Sequence, residues 1–103
     1  MIYGYCRVST KHQNLQRQID ALLKYGVNLR FIFTDKYTGI HLDRSGLNEL
    51  LSVLKQGDTV VLKEIDRLGR NRKETKEFII TLIKNDIDII CLDMPYLKRI
   101  YYR

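Results

Sequence analysis

Apolar and polar positions follow two rhythms along this chain. Ile2 to Val8 carries Tyr, Cys and Val in an extended pattern, which predicts a strand. Asn14 to Tyr25 then sets Leu15, Ile19, Leu22 and Leu23 at the i, i+4, i+7, i+8 spacing of an amphipathic helix. Gly26 fits a left-handed cap closing that helix, and Leu29 to Phe33 predicts a second strand. Thr34 to Asp43 has no periodicity and reads as a loop. Leu47, Leu50, Leu51 and Leu54 form the stripe of a second helix, closed by Gly57. Thr59 to Leu62 is a third strand, buried on both faces because its apolar residues do not alternate. Asn71 and Glu74 have the spacing of a capping box before a third helix, whose inward stripe is Thr75, Phe78, Ile79, Leu82 and Ile83. Asn85-Asp86 ends that helix, and Ile87 to Leu92 predicts a fourth strand.

Strands that alternate with helices must run parallel, because each connection is long enough to cross back over the sheet. The expectation is an open, doubly wound α/β domain with a mainly parallel sheet flanked by helices, spanning residues 1–93. Residues 94–103 form a tail with the only proline, three tyrosines and no helical stripe.

Composition narrows the class. The 103 residues suffice for one core, and 45% apolar with 29% charged residues argues against disorder. Eighteen Lys and Arg against twelve Asp and Glu leave +6, which favours a polyanionic partner, nucleic acid or an anionic membrane surface. No apolar run approaches the ~18 residues of a membrane span, and the start lacks a basic segment before a long apolar one. A soluble, cytoplasmic protein is expected. Cys6 and Cys91 are too few for a disulfide framework and are expected as reduced core residues.

In doubly wound sheets the working residues gather at the carboxyl ends of the strands. After the first strand come Arg7, Ser9, Thr10 and Gln13; after the second, Asp35, Tyr37, Gly39 and Arg44; after the third, Glu64, Asp66, Arg67, Gly69 and Arg70. Arg7, Arg44, Arg67 and Arg70 around Ser9 make a phosphoryl-transfer constellation. Guanidinium forks bind phosphate oxygens in pairs and stay charged, and they stabilise both a serine nucleophile and the charge gained by an attacked phosphodiester.

Plainer readings stand beside this one. Ser9-Thr10 could cap a helix, Asp66-Arg67 could be a surface ion pair, and Arg70, Arg72, Lys73 and Lys76 could be a solvated helix face. Tyr3 and Tyr5 fit strand packing better than catalysis, and His12 and His41 have no partner at ligand spacing. No phosphate-binding glycine loop is present, so no nucleotide cofactor is expected. Two other functions stay open on the residues alone: a metal-dependent nuclease using Asp35, Glu64 and Asp66, and a non-catalytic DNA-binding domain whose arginines only neutralise phosphates.

Two segments carry a resemblance. Tyr5-Cys6-Arg7-Val8-Ser9-Thr10, followed by Gln13, Leu15 and Gln18, resembles the opening motif of the resolvase/invertase family of serine site-specific recombinases. Gly57-Asp58 and Ile65-Asp66-Arg67-Leu68-Gly69-Arg70-Asn71 resemble its second signature. Between them, Asp35, Thr38-Gly39 and Asp43-Arg44 fall where that family has an acid, a small residue with glycine, and an arginine.

The resemblance implies the N-terminal catalytic domain of an enzyme that cuts and rejoins double-stranded DNA through a 5′-phosphoserine link, with Ser9 as nucleophile. Arg7, Arg44, Arg67 and Arg70 would hold and activate the scissile phosphate, Gln18 would help position it, and Asp66 would orient an arginine or move a proton. A serine transposase of the same superfamily is the neighbouring alternative. No cofactor and no metal is implied, because a phosphoserine diester conserves the energy of the bond it replaces. Family members continue into a dimerisation helix and a DNA-binding module. The chain is accordingly expected to be a fragment or truncated product that does not recombine DNA alone, and dimers and tetramers are expected of a full-length parent.

Overall fold

The computed structural model describes residues 1–9, 15–38, 41–42, 45–63 and 72–93. Among them, strand β1 (Ile2–Ser9) leads to helix α1 (Leu15–Tyr25), and strand β2 (Ile32–Thr38) is followed by the two-residue strand β3 (His41–Leu42). Helix α2 (Ser45–Val53), strand β4 (Thr59–Leu62), helix α3 (Arg72–Lys84) and strand β5 (Asp88–Cys91) complete the order.

The sheet order is β3-β2-β1-β4-β5. β1 pairs in parallel with β2 and β4, and β4 with β5, while β3 lies antiparallel to β2 at the edge. The chain steps from β1 outward to β2, then returns across β1 to β4, so the winding direction reverses between β1 and β4. That reversal is where an open α/β sheet has a crevice at its carboxyl edge.

Strand alternation sorts the core into two layers. Tyr3, Tyr5, Val60, Leu62, Ile89 and Cys91 pack with Leu47 and Leu50 of α2 and Ile79 and Leu82 of α3. Cys6 and Val61 point the other way, into a smaller cluster with Leu22 of α1 and Val27. Two helices therefore cover one face and one covers the other. Tyr3 meets Phe31 edge-to-face at 5.7 Å between ring centroids, a favoured aromatic geometry. The cysteines are buried thiols in different layers, as expected of reduced core residues.

Helix ends follow backbone accounting. Gly26, at φ +120°, closes α1: Val27 N–H donates to Leu22 C=O and Gly26 N–H to Leu23 C=O, the paired bonds of a Schellman cap. α3 ends in the same pattern with Asp86, at φ +60°, in the glycine's place; Ile87 N–H donates to Leu82 C=O and Asp86 N–H to Ile83 C=O.

The second strand departs from expectation. Leu29–Phe31 forms a single 3-10 turn, capped by the Asn28 side chain accepting from Arg30 N–H at 2.9 Å, and β2 starts at Ile32 and runs on to Thr38. The segment read as a loop is therefore largely strand, with β3 folded back on it. Leu23 and Leu51, both placed in inward stripes, are exposed, which narrows each apolar face. Asn71, the cap of the expected capping box, and the 94–103 tail lie outside the described residues. No described helix is long and apolar enough to cross a membrane.

At the opposite edge, Asp58 accepts from Lys55 N–H at 2.8 Å and lies 3.2 Å from the Met1 amino group. The backbone hydrogen bond from Lys55, aided by the amino terminus, holds its carboxyl below the ordinary 3.8 despite opposing burial. A depressed carboxyl stabilises the fold above its unfolded pKa, and this is lost as pH falls through the folded one. Acid titration of unfolding should therefore show a shallower loss of stability below about pH 4 in Asp58→Asn than in the wild type.

Candidate functional site

The carboxyl edge is built outward from β1. Tyr5 is the last β1 residue paired with β4, opposite Leu62, so Cys6 to Ser9 run beyond β4 and, among the described strands, are flanked by β2 alone. Arg7 stands opposite Asp35 and Ser9 opposite Tyr37. The neighbouring exit is held by a continued ladder: Leu92 N–H donates to Leu62 C=O at 2.8 Å and Asp93 N–H to Lys63 C=O at 3.0 Å. Lys63 Nζ also reaches Asp93 at 3.3 Å. Lys63, the last described residue after β4, thus lies across the winding reversal from β1.

Asp35 is the centre of this edge. It is 3% exposed, and its carboxylate accepts from Tyr5 O–H at 2.6 Å, Gly46 N–H at 2.7 Å and Leu47 N–H at 2.8 Å. The first N–H groups of a helix have no internal partner and carry a partial positive charge, so a buried carboxylate is well placed there. The α2 start is consequently not a free anion cradle, since Asp35 already takes its Gly46 and Leu47 amides. Gly46 permits the approach: a Cβ there would stand 2.3 Å from Thr34 O and 2.8 Å from Asp35 Oδ1.

Asp35, one of the three acids of the metal-dependent nuclease reading, is buried with its oxygens engaged by Tyr5 and α2, while Glu64 and Asp66 lie outside the described residues. No group of three or more described His, Cys, Asp or Glu residues could hold a metal ion. Tyr5 does more than pack, since its hydroxyl is one of the Asp35 donors.

Gln18 lies on the α1 side of the sheet, 4% exposed, and donates through Nε2 to Arg7 C=O at 3.1 Å. It braces the β1 backbone beneath Arg7, and its Oε1 is buried with no hydrogen-bond partner among the described residues. Arg7 itself is half-buried. Among the residues singled out from sequence, the structure thus brings together Arg7, Gln18, Asp35 and the backbone of Ser9. Thr10, Gln13, Gly39, Asp43, Arg44, Glu64, Asp66, Arg67, Gly69 and Arg70 lie outside the described residues, as does His12. Tyr5 and Gly46 are the contributors that pattern reasoning missed; the tyrosine phase in β1 matched packing, and a glycine at a helix start carries no chemical signal of its own.

Cys6 is next to Arg7 yet is no rival nucleophile. It is fully buried, and desolvation pushes its thiol from the ordinary 9.0 up to about 12.

The family model for the resolvase N-terminal domain matches residues 2–100. The chain is 47% identical over 77 residues to the transposon Tn917 resolvase of Enterococcus faecalis, covering 75% of this chain and 41% of that protein. It is 45% identical over 78 residues to the transposon Tn3 resolvase of Escherichia coli, covering 76% of this chain and 42% of that protein. The chain thus spans less than half the length of these curated relatives. Its fold superposes on the crystal structure of the N-terminal catalytic domain of TP901-1 integrase with a TM-score of 0.71 and 30% identity, covering 91% of this chain and 78% of that one.

Burial of both thiols sets an expected outcome. At pH 8 the native chain should react with a thiol reagent far more slowly than the chain in denaturant, where Cys6 and Cys91 both label; fast native labelling of Cys6 would contradict its packing.

Proposed function

This chain belongs to the resolvase N-terminal domain family, and from that premise we propose that it is the catalytic domain of an enzyme that breaks and rejoins double-stranded DNA through a covalent link to Ser9. The observation that carries the reading is positional. Ser9 ends β1, beyond the reach of β4 and beside the winding reversal, with Arg7 two residues before it.

In the proposed step Ser9 Oγ attacks a backbone phosphorus and loses its proton. The bond from phosphorus to the 3′ oxygen breaks, and that oxygen leaves as a hydroxyl after taking a proton. The product is a 5′-phosphoserine diester and a free 3′ hydroxyl. Attack by a 3′ hydroxyl on the same phosphorus reverses the chemistry and releases Ser9. One phosphodiester replaces another, so the exchange needs no external energy source.

Arg7, Arg44, Arg67 and Arg70 are assigned to the phosphate, where fixed guanidinium donors stabilise the charge developing on its non-bridging oxygens. Gln18 acts from below, through the Arg7 carbonyl. Asp66 is assigned to orienting Arg67 or Arg70, or to proton transfer. Double-stranded DNA is the proposed partner, in the cytoplasm, and exchange between two duplexes calls for self-association to dimers and tetramers. The +6 charge suits the polyanion.

The test uses a protein of the relatives' length that carries this domain, incubated with a genomic duplex library in EDTA. Denaturing isolation followed by peptide mapping should recover Ser9 attached to a DNA 5′ end. Ser9→Ala should give no adduct while keeping DNA affinity, and Arg7→Ala should slow adduct formation roughly 10²-fold or more. Attachment at another residue, or cleavage that stops in EDTA, would overturn the assignment.

A further inference from the structure

We infer that Lys36 is a DNA-backbone contact: from the face of the sheet opposite Asp35 it holds a phosphate next to the one proposed for Ser9. The inference rests on the functional reading above and names a second place on the domain where the duplex is held.

The two faces of β2 differ at this end. Asp35 turns inward to the start of α2. Its neighbours Thr34 and Lys36 take the other face, in phase with Ile32, which packs into the cluster around Leu22 of α1. Ile32 is half-buried there, yet Thr34 and Lys36 are exposed, so α1 leaves the carboxyl half of β2 uncovered. β3 pairs with Tyr37 and Thr38, so up to Lys36 the outer edge of β2 also has no neighbour among the described strands. The result is an open polar shelf beside β1, in a sheet otherwise layered by helices.

Charge on this shelf is unmatched. Among the described residues Lys36 has no hydrogen-bond or ion-pair partner, whereas Lys63, at the exit of β4, is taken up by Asp93 at 3.3 Å. Lys36 is in register with Val8, the residue before Ser9, and neighbouring strands lie about 4.8 Å apart. Successive phosphates of one DNA strand are about 3.4 Å apart along the helix axis. A strand whose scissile phosphate sits at Ser9 therefore carries its next phosphates within the span of a lysine side chain on β2. Lysine also suits the task. A reacting phosphate calls for fixed guanidinium forks, while a phosphate that is only held is served by a compact charge on a flexible stem.

Salt titration separates a phosphate contact from a charge that only keeps an edge strand from pairing with other chains. A protein of the relatives' length is titrated with an arbitrary duplex at increasing salt, a reading that does not depend on cleavage. Lys36→Gln should lower the slope of log affinity against log salt by about 0.9, the value of one phosphate contact, and Lys36→Arg should restore it. Lys84→Gln, at the end of α3 on the opposite edge of the sheet, should leave the slope unchanged. On the duplex recovered from the EDTA experiment, phosphates near the Ser9 attachment point are then replaced one at a time by neutral methylphosphonates. One position should weaken binding of the wild type and not of Lys36→Gln. An unchanged slope, or the same methylphosphonate profile for both proteins, overturns the inference. Self-association of Lys36→Gln with an unchanged slope assigns the lysine to edge protection and overturns it too. Either result beside a normal Ser9 adduct leaves the functional reading standing. Absence of any Ser9 adduct in the wild type overturns that reading and this inference with it.

Discussion

The buried carboxylate of Asp35 is the constraint around which this domain is arranged. An ionised group this deep is costly unless its oxygens are taken up, and here Tyr5 O–H and the Gly46 and Leu47 amides do so within 2.6 to 2.8 Å. The positive end of the α2 dipole adds to the balance. Each partner depends on the others. Without Asp35, the Gly46 and Leu47 amides would lose the acceptor that holds them, and each buried amide left orphaned costs about 1–3 kcal/mol.

Other features follow from that knot. β2 has to run past its apolar stretch to bring Asp35 level with Arg7, which is why a strand continues through Thr34–Thr38. The α2 start has to be glycine where it meets the Thr34 carbonyl. On the opposite face, Gln18 holds the Arg7 carbonyl from α1. The β1 backbone leading to Ser9 is thus braced by α1 from one side and joined through Tyr5 and Asp35 to α2 from the other. For the proposed function, a serine at the end of a strand braced this way would need little reorganisation when a phosphate arrives, which is how fixed geometry contributes to a rate.

Much of the fold was legible because the apolar pattern and the backbone caps agree. β4 coincides with its predicted span, and Leu22, Leu47, Leu50, Ile79 and Leu82 all turn inward. β2 was misplaced for a physical reason: the apolar run Leu29–Phe33 straddles a 3-10 turn, and the strand beyond it is polar because it lies at the sheet's working edge. Leu23 and Leu51 misled because a helix resting on a sheet buries a narrower stripe than the sequence offers. Arg7 was legible as a candidate from the strand-end rule and Gln18 from the family motif. Their division of labour was not, since the bond from Gln18 to a carbonyl on a neighbouring strand has no signature in sequence. Asp35 stood out as an acid, but only its donors show that it acts by holding other residues.

Amide hydrogen exchange of Gly46 and Leu47 tests the central claim most directly. Helix-start amides without an internal partner ordinarily exchange with solvent readily. If Asp35 binds α2 to the sheet as described, both amides should be protected to the level of Val60 and Val61 in β4, and should open only with the whole domain. Exchange at the rate of an exposed helix terminus, with β4 still protected, would contradict the account.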